Sequence, residues 1–434
     1  MSNRKILIIT YYWPPSGGVG VQRWVHFALN LKKCGYEPII YTPSNPQFEI
    51  LDINLLEKVK NLTTIKTKIW EPFSLFHKLT GNKNKGKVKQ GLVLEKGKKS
   101  VKDDLIVWIR GNIFIPDPRK YWRRSSVNFL KRYIDQNEIG LMVTTGPPHS
   151  MHLIGLDLKK EFPQIKWISD FRDPWSNWDV LPKLKTSKFA MRKHADWERS
   201  VLRRADLAIT VSPSLAAQLK ANADKSVSVI FNGVETYQQV TKHHESRENN
   251  QFNIGYFGLL NELRDPDILW NALKALSKSN PKFQEQLQIV LGGIISDSIL
   301  EKLQAEDFFR NQIVEKGYLA HEDVFEAYQE CDLLVLLLNK TDNAKWILPQ
   351  KFFEYLTAGK PILAIGPPDT DLQQIMNGKD IGKYMENNEE EISRFLLTIF
   401  EGKYDFDKQS AQGLLNEFSR KNQTDQLIQL IEKL

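Results

Sequence analysis

The run Leu348-Pro-Gln-Lys-Phe-Phe-Glu-Tyr-Leu-Thr-Ala-Gly-Lys-Pro361 decides how the rest of the chain is read. Pro349 at its entry, Gly359 at the end of its periodic part and Pro361 two residues later punctuate a short helix closed by a left-handed glycine. Phe352, Phe353 and Leu356 give that helix an apolar side. Lys351 and Glu354 lie three apart and project together on one face. Pro361-Ile-Leu-Ala-Ile365 then reads as a buried strand, closed by Gly366-Pro-Pro368. A helix start carries unpaired N–H groups and a partial positive charge, which suit a phosphate. Lys351 in the first turn would add a full charge, and Glu354 one turn on could accept hydrogen bonds from a sugar diol. An ordinary surface helix with an i,i+3 ion pair would carry the same residues. Physics alone leaves both readings open.

The motif closes a series of βα units. In the second half, strands at Phe252–Gly258, Leu287–Leu291, Ile313–Gly317 and Asp332–Leu338 alternate with helical stretches, the signature of a doubly wound sheet. Glu235 to Gln251 is polar and without periodicity, so it reads as the linker to an earlier half. That half opens with Lys5-Ile-Leu-Ile-Ile-Thr10, a continuous apolar run suited to a strand buried on both faces. Tyr11-Tyr-Trp-Pro-Pro-Ser-Gly-Gly-Val-Gly20 follows as a glycine-rich loop, then a helical pattern to Leu31 and a strand at Pro38–Thr42. In such a βαβ unit the loop after the first strand is where ligands bind. Its glycines do not match the dinucleotide fingerprint G-x-G-x-x-G. Val227 to Val234 reads as the last strand of this half.

A second candidate cluster is Asp170-Phe-Arg-Asp-Pro-Trp-Ser-Asn-Trp178, leaving the strand Lys166–Ser169. Two carboxylates, an arginine and two tryptophans leave a strand end together, where ligand-binding residues usually sit. Each acid could instead cap a helix or pair with Arg172.

These residues carry a resemblance. Lys351 to Pro361 is similar to the donor-binding motif of the GT-B glycosyltransferases, of the retaining family 4 type. That motif carries two glutamates eight positions apart; the second matches Glu354, whereas the first would fall at Trp346. Many sugar-polymer relatives keep a lysine at the position of Lys351. The resemblance implies that Glu354 binds nucleotide ribose hydroxyls and that Lys351 and Arg264 lie at the donor diphosphate, stabilising it as it leaves. It also places Gly17 and Gly18 facing that diphosphate. A His-Asp pair common at the earlier strand exit reads Ser-Asp here, so no catalytic histidine carries over. Asp170-Phe-Arg-Asp-Pro-Trp175 resembles a variant of polysaccharide-assembly members that lines the acceptor side; the resemblance implies Asp170 and Asp173 as the groups to orient or deprotonate an acceptor hydroxyl, and His149, Arg172 and Trp175 as acceptor-side residues.

The implied fold is α/β, GT-B: two Rossmann-like doubly wound domains facing across a cleft, with the C-terminal helix crossing back to the N-terminal domain. The expected domains are 1–238, completed by 416–434, for the acceptor, and 251–415 for the nucleotide sugar. Leu427, Ile428, Leu430 and Ile431 make the last helix amphipathic. The expected reaction is transfer of a sugar from a nucleoside diphosphate sugar to a lipid-linked or saccharide acceptor, in bacterial surface polysaccharide or glycolipid assembly. No cofactor and no metal are expected. Asp265-Pro-Asp267 has D-x-D spacing, but its proline favours helix capping.

Composition bounds the rest. At 434 residues with 41% hydrophobic and 11% aromatic content, two packed domains fit the chain. The two cysteines, Cys34 and Cys331, suggest no disulfide framework, and the N-terminal apolar run is too short for a signal peptide, so a cytoplasmic protein is expected. The net charge of +8 allows anionic partners. Nine lysines between Lys78 and Lys102 face one acid, Glu95, and Trp108, Tyr121 and Trp122 follow beside Arg110, Arg119, Lys120, Arg123 and Arg124. Region 78–124 therefore suits an anionic membrane surface, peripheral on the inner face of the plasma membrane. A core helix with a solvated basic loop reads as well. Nucleic acid is not the expected partner, although two rivals to the transferase stay open: a basic anionic-surface or nucleic-acid binder with a degenerate nucleotide site, and a GT-B sugar-nucleotide epimerase.

Overall fold

The computed structural model describes residues 4–48, 51–72, 101–235, 251–319 and 321–434. They divide into two compact units, Met1–Asn232 with Arg420–Leu434, and Gly233–Ser419.

The first unit is built on seven parallel strands: β1 (Lys5–Ile9), β2 (Glu37–Pro43), β3 (Thr63–Thr67), β4 (Leu141–Gly146), β5 (Lys166–Phe171), β6 (Leu207–Thr210) and β7 (Ser228–Val229). Their spatial order is β3-β2-β1-β4-β5-β6-β7. Ile6, Leu7, Ile8 and Ile9 are all buried because β1 is central and covered on both faces. The order reverses between β1 and β4. Crossover connections leave that point in opposite directions and open a crevice at the strand ends.

The second unit repeats the plan with six strands: β8 (Phe252–Leu260), β9 (Leu287–Ile295), β10 (Ile313–Gly317), β11 (Leu333–Leu337), β12 (Ile362–Ile365) and β13 (Gly382–Met385). All pair in parallel, in the order β10-β9-β8-β11-β12-β13, and the reversal falls between β8 and β11. Both units are thus Rossmann-like.

The C-terminal helix Arg420–Ile431 belongs to the first unit and packs on the helix Val19–Lys33. Leu427 joins the core there, with Ile428, Leu430 and Ile431 packed at its margin. Asn30 Nδ2 donates to Thr424 Oγ1 at 3.2 Å.

Several local expectations change. Val227–Val234 is not a strand; only Ser228–Val229 pairs with β6. The carbonyls of Ile230 and Phe231 instead accept from Arg23 Nη1, at 2.8 and 2.9 Å. The edge strand β3, the helix Trp122–Asn137 and the pair formed by helix Asp371–Met376 and β13 were not among the elements expected from sequence. β3 reads Thr-Thr-Ile-Lys-Thr and is half exposed, as an edge strand is. Pro349 is the N-cap of the helix Gln350–Ala358 rather than its first residue. Gly359 does close it in the left-handed region, at φ 65 and ψ 30. Of the basic stretch, Lys78 to Lys99 and Glu95 lie outside the described residues.

Candidate active site

In the second unit, Gly258 stands near the end of β8, beside the point where strand order reverses. A Cβ built on it would lie 3.2 Å from Tyr256 Oη and 3.4 Å from Lys351 Cε. Gly293 approaches from β9 with φ +110, and a Cβ there would meet Gly258 O at 2.3 Å. Two strand exits therefore pack backbone on backbone, a closeness only glycine permits. Arg264 lies on the loop that leaves β8. Its Nε donates to Asn339 Oδ1 at 2.6 Å and its Nη1 to Leu259 O at 3.4 Å. Asn339 follows β11, so this bond ties together the exits of the two strands that flank the reversal.

Lys351 and Glu354 meet the cluster from the first turns of the helix Gln350–Ala358. Phe352, Phe353 and Leu356 are buried, which turns the polar side of the helix outward. Lys351 Nζ is 3.8 Å from Glu354 Oε2 and 3.4 Å from Tyr328 Oη. Burial holds the Lys351 ammonium below the usual lysine range; Glu354 opposes the shift and the Arg264 charge adds to it. Two cations thus stand close enough to repel, with Glu354 beside Lys351. The spot keeps a positive excess that an anion would relieve. Tyr328, a residue the sequence did not single out, donates its hydroxyl to Glu354 Oε2 at 3.0 Å.

The Asp265-Pro-Asp267 spacing was expected to cap a helix, and it does not. Pro266 is the helix N-cap and no side chain bonds the helix end. Asp265 accepts from Trp270 Nε1 at 2.7 Å and from Lys302 Nζ at 2.6 Å, and Asp267 pairs with the same lysine. Among the described residues no three His, Cys, Asp or Glu side chains gather where they could hold a metal ion.

In the first unit the expected residues come together at the ends of β1, β4 and β5, with very different surroundings. Asp170 is fully buried. Its carboxylate accepts from Arg23 Nη2 at 2.9 Å, Arg23 Nε at 3.3 Å, Trp24 Nε1 at 2.6 Å and Thr145 Oγ1 at 2.9 Å. With both oxygens engaged inside the protein, Asp170 fastens the strand end and is no open base for an acceptor. Asp173 is the exposed acid of the segment. Desolvation by the surrounding protein raises its pKa, Arg172 pulls it down and Asp170 adds to the rise.

Arg172 donates from Nη2 to Pro147 O at 2.5 Å. Its Nη1 lies 1.4 Å from where a Cβ on Gly20 would stand. The guanidinium therefore rests on the glycine-rich loop, and Gly20 is the glycine whose bareness it uses. Gly18, at φ 99, is the N-cap of the helix Val19–Lys33 and has open space where a side chain would be; Gly17 precedes it.

His149 and Trp175 are buried, stacked on one another at 4.8 Å and 3°. Trp175 Nε1 donates to His194 Nδ1 at 3.0 Å, and His152 stacks on Phe171 at 4.5 Å. Burial pushes the His149 imidazole well below its usual range, with the charges of His152, His194 and Arg172 adding to the effect. Both residues were expected to face an acceptor. The structure packs them as a wedge beneath the Asp173 loop, since two rings in face contact bury more surface than one left open.

The sequence of residues 91–238 matches the family model described as Glycosyltransferase Family 4. No curated protein sequence matches the chain. Among solved structures, a glycosyltransferase from Rickettsia africae is similar over 100% of this chain and 99% of its own, with a TM-score of 0.63 at 14% identity. HepE from Anabaena, solved in complex with UDP, is similar over 99% of this chain and 100% of its own, with a TM-score of 0.62 at 14% identity. The lipopolysaccharide outer core galactosyltransferase WaaB covers the same shares, with a TM-score of 0.62 at 11% identity. The chain has the GT-B fold and resembles the family 4 glycosyltransferases.

Proposed function

We propose that the protein transfers a sugar from a nucleoside diphosphate sugar to an acceptor hydroxyl, with retention at the anomeric carbon. The observation that carries this reading is that Lys351 approaches Gly258 while Arg264 reaches the neighbouring Leu259 carbonyl, with Glu354 one turn beyond Lys351. A departing diphosphate gathers negative charge, and fixed cations that are already desolvated stabilise it without reorganisation. Arg264 and Lys351 would do this, and Glu354 would accept from the ribose hydroxyls. No metal is assigned to the step. On the acceptor side Asp173, the exposed acid just past the end of β5, is the group for an acceptor hydroxyl. Arg172 lies beside it, and Asp170 positions both by anchoring the end of β5.

The test is a thermal-shift panel of nucleoside diphosphates followed by turnover of the matching nucleotide sugars. A ligand at 100 times its Kd stabilises by about 2.7 kcal/mol. Lys351→Ala with Glu354→Gln must abolish both the shift and the turnover; unchanged turnover refutes the roles of both residues.

The acceptor is placed at an anionic membrane surface, in bacterial surface polysaccharide or glycolipid assembly, with the enzyme peripheral on the cytoplasmic face. Support comes from the helix Val101–Asn112 and its neighbours: Leu105 is 57% exposed, Trp108 43% and Trp70 57%, and Trp70 meets Tyr121 edge-on at 4.8 Å. Lys120 Nζ sits 5.2 Å over the Tyr121 ring and feels the charge of Lys193. Exposed aromatics beside cations suit the interfacial layer of an anionic bilayer. Among the described residues no helix is long and apolar enough to cross one. Co-sedimentation with anionic vesicles, lost in Trp108→Ala with Lys120→Glu, checks the placement; equal, salt-insensitive pelleting removes it.

A further inference from the structure

Tyr328 stands between the two groups on which the donor reading depends. It is buried near the end of the helix His321–Gln329, with its ring edge-on to Phe257 at 5.0 Å and to Tyr355 at 5.0 Å. Phe257 belongs to β8 and Tyr355 to the helix that carries Lys351 and Glu354, so the ring is fixed from two sides. Its hydroxyl reaches Glu354 Oε2 at 3.0 Å and lies 3.4 Å from Lys351 Nζ. The ammonium also sits 6.0 Å over the ring.

This placement sets a competition. Lys351 and Glu354 are i,i+3 neighbours and by themselves would close into a direct ion pair. They do form an ion pair, at 3.8 Å, but one too long for a direct hydrogen bond, and Oε2 takes its hydrogen bond from the tyrosine. Glu354 Oε1 has no protein partner among the described residues. The ammonium keeps donors to spare, since only the tyrosine hydroxyl and the distant carboxylate are near it.

We infer that Tyr328 is a positioning residue that touches both Lys351 and Glu354 and keeps their ion pair from closing into a direct hydrogen bond, so that one can engage a phosphate and the other a ribose diol of the same nucleoside diphosphate. This rests on the proposed donor site and adds what keeps its ion pair loose enough for a ligand to open. The phenol remains protonated, because burial and the adjacent carboxylate push its pKa up, so it acts as a constant donor. Without the hydroxyl, Glu354 swings onto Lys351. Both groups are then spent in the pair.

The experiment measures binding of UDP, GDP, ADP and pyrophosphate by calorimetry to wild type, Tyr328→Phe, Glu354→Gln and the double variant. Phenylalanine keeps the ring contacts and removes only the hydroxyl. Tyr328→Phe is expected to weaken the bound nucleoside diphosphate about tenfold, the worth of one hydrogen bond to a charged group. The double variant should lose no more than Glu354→Gln alone, because the tyrosine acts through that carboxylate. A pH series adds a readout that a purely structural role would not move. Affinity in wild type falls as Lys351 loses its proton, and in Tyr328→Phe that fall moves to higher pH, since the tighter ion pair raises the lysine pKa. Tyr328→Met, which also lacks the hydroxyl, takes the same readings should Tyr328→Phe not fold. Wild-type failure to bind any of the nucleotides overturns the donor site itself. Nucleotide binding by wild type with unchanged affinity in the variant that lacks the hydroxyl, or additive losses in the double variant, overturns the role of Tyr328.

Discussion

Charged groups at the strand ends of the two units differ in how far the protein has already satisfied them. In the first unit Asp170 is paired with a fully buried arginine and accepts four hydrogen bonds, while Arg23 spends its remaining donors on the carbonyls of Ile230 and Phe231. In the second unit Lys351 and Glu354 are about two-thirds covered, stand 3.8 Å apart and leave hydrogen-bonding capacity unused. The first arrangement holds a fold together. The second is built to be completed by a ligand. A carboxylate at a strand exit is therefore a weak sign of catalysis until its partners are counted.

Substitutions and titrations can break this contrast, taken from the largest expected effect. Asp170→Ala leaves the Arg23 guanidinium buried and unpaired, so the first unit should lose about 3–5 kcal/mol of stability. Denaturant unfolding measures it; a change no larger than that of a surface substitution would make Asp170 a functional rather than a fastening residue. Lys351→Ala should leave unfolding nearly unchanged and weaken nucleoside diphosphate binding by about 1.5–3 kcal/mol, the range for hydrogen bonds to a charged group. In wild type that affinity should decline as pH rises, and earlier than an ordinary lysine with a pKa of about 10.4 would dictate, because burial lowers the Lys351 pKa.

Acid acts on the first unit through His149, His152 and His194. Burial holds His152 to about 3 and His194 to about 4, and His149 well below the usual range. The folded state keeps them neutral while the unfolded chain takes up protons below a pKa of about 6.5. The stability they contribute is full above that pH and drains as pH falls toward the folded values, by about 2 kcal/mol per histidine between pH 7 and pH 5. Thermal melts across that range should show the midpoint dropping, and His152→Gln, by removing one titrating group, should flatten the drop. Gly20→Ala has the smallest effect on stability, within about 1 kcal/mol, since the helix gains an alanine and the displaced Arg172 end is flexible. It should still reduce transfer if Arg172 meets the acceptor, so preserved melting with reduced turnover sharpens the contrast, and full turnover removes Arg172 from the site.

Much of the second unit was legible in sequence. Gly359 as a left-handed stop, the buried side formed by Phe352, Phe353 and Leu356, and the shared face of Lys351 and Glu354 all follow from helix periodicity. Buried central strands such as β1 and β11 announced themselves as unbroken apolar runs, whereas β3 at an edge did not, and the run around β7 promised a longer strand than the two residues that pair. Tyr328 was invisible because its partner is 26 residues away on another helix. Asp170, His149 and Trp175 were misplaced for a related reason: a residue at a strand exit can turn outward to solvent or inward to the core, and its own neighbours in sequence do not say which.

Alternation of short apolar strands with helical stretches, punctuated by glycine and proline, determined that this chain makes doubly wound parallel sheets, because that pattern depends on local periodicity and on which faces can be buried. It also marked Lys351 and Glu354 as a pair, since helical spacing is a local rule. Which charges are consumed and which are left open was decided only in three dimensions. Arg23 reaches Asp170 across 147 positions and Tyr328 comes between Lys351 and Glu354 from a separate helix. The free energy of a buried charge depends on every group packed around it, and those groups are gathered by the fold, not by the order of the chain.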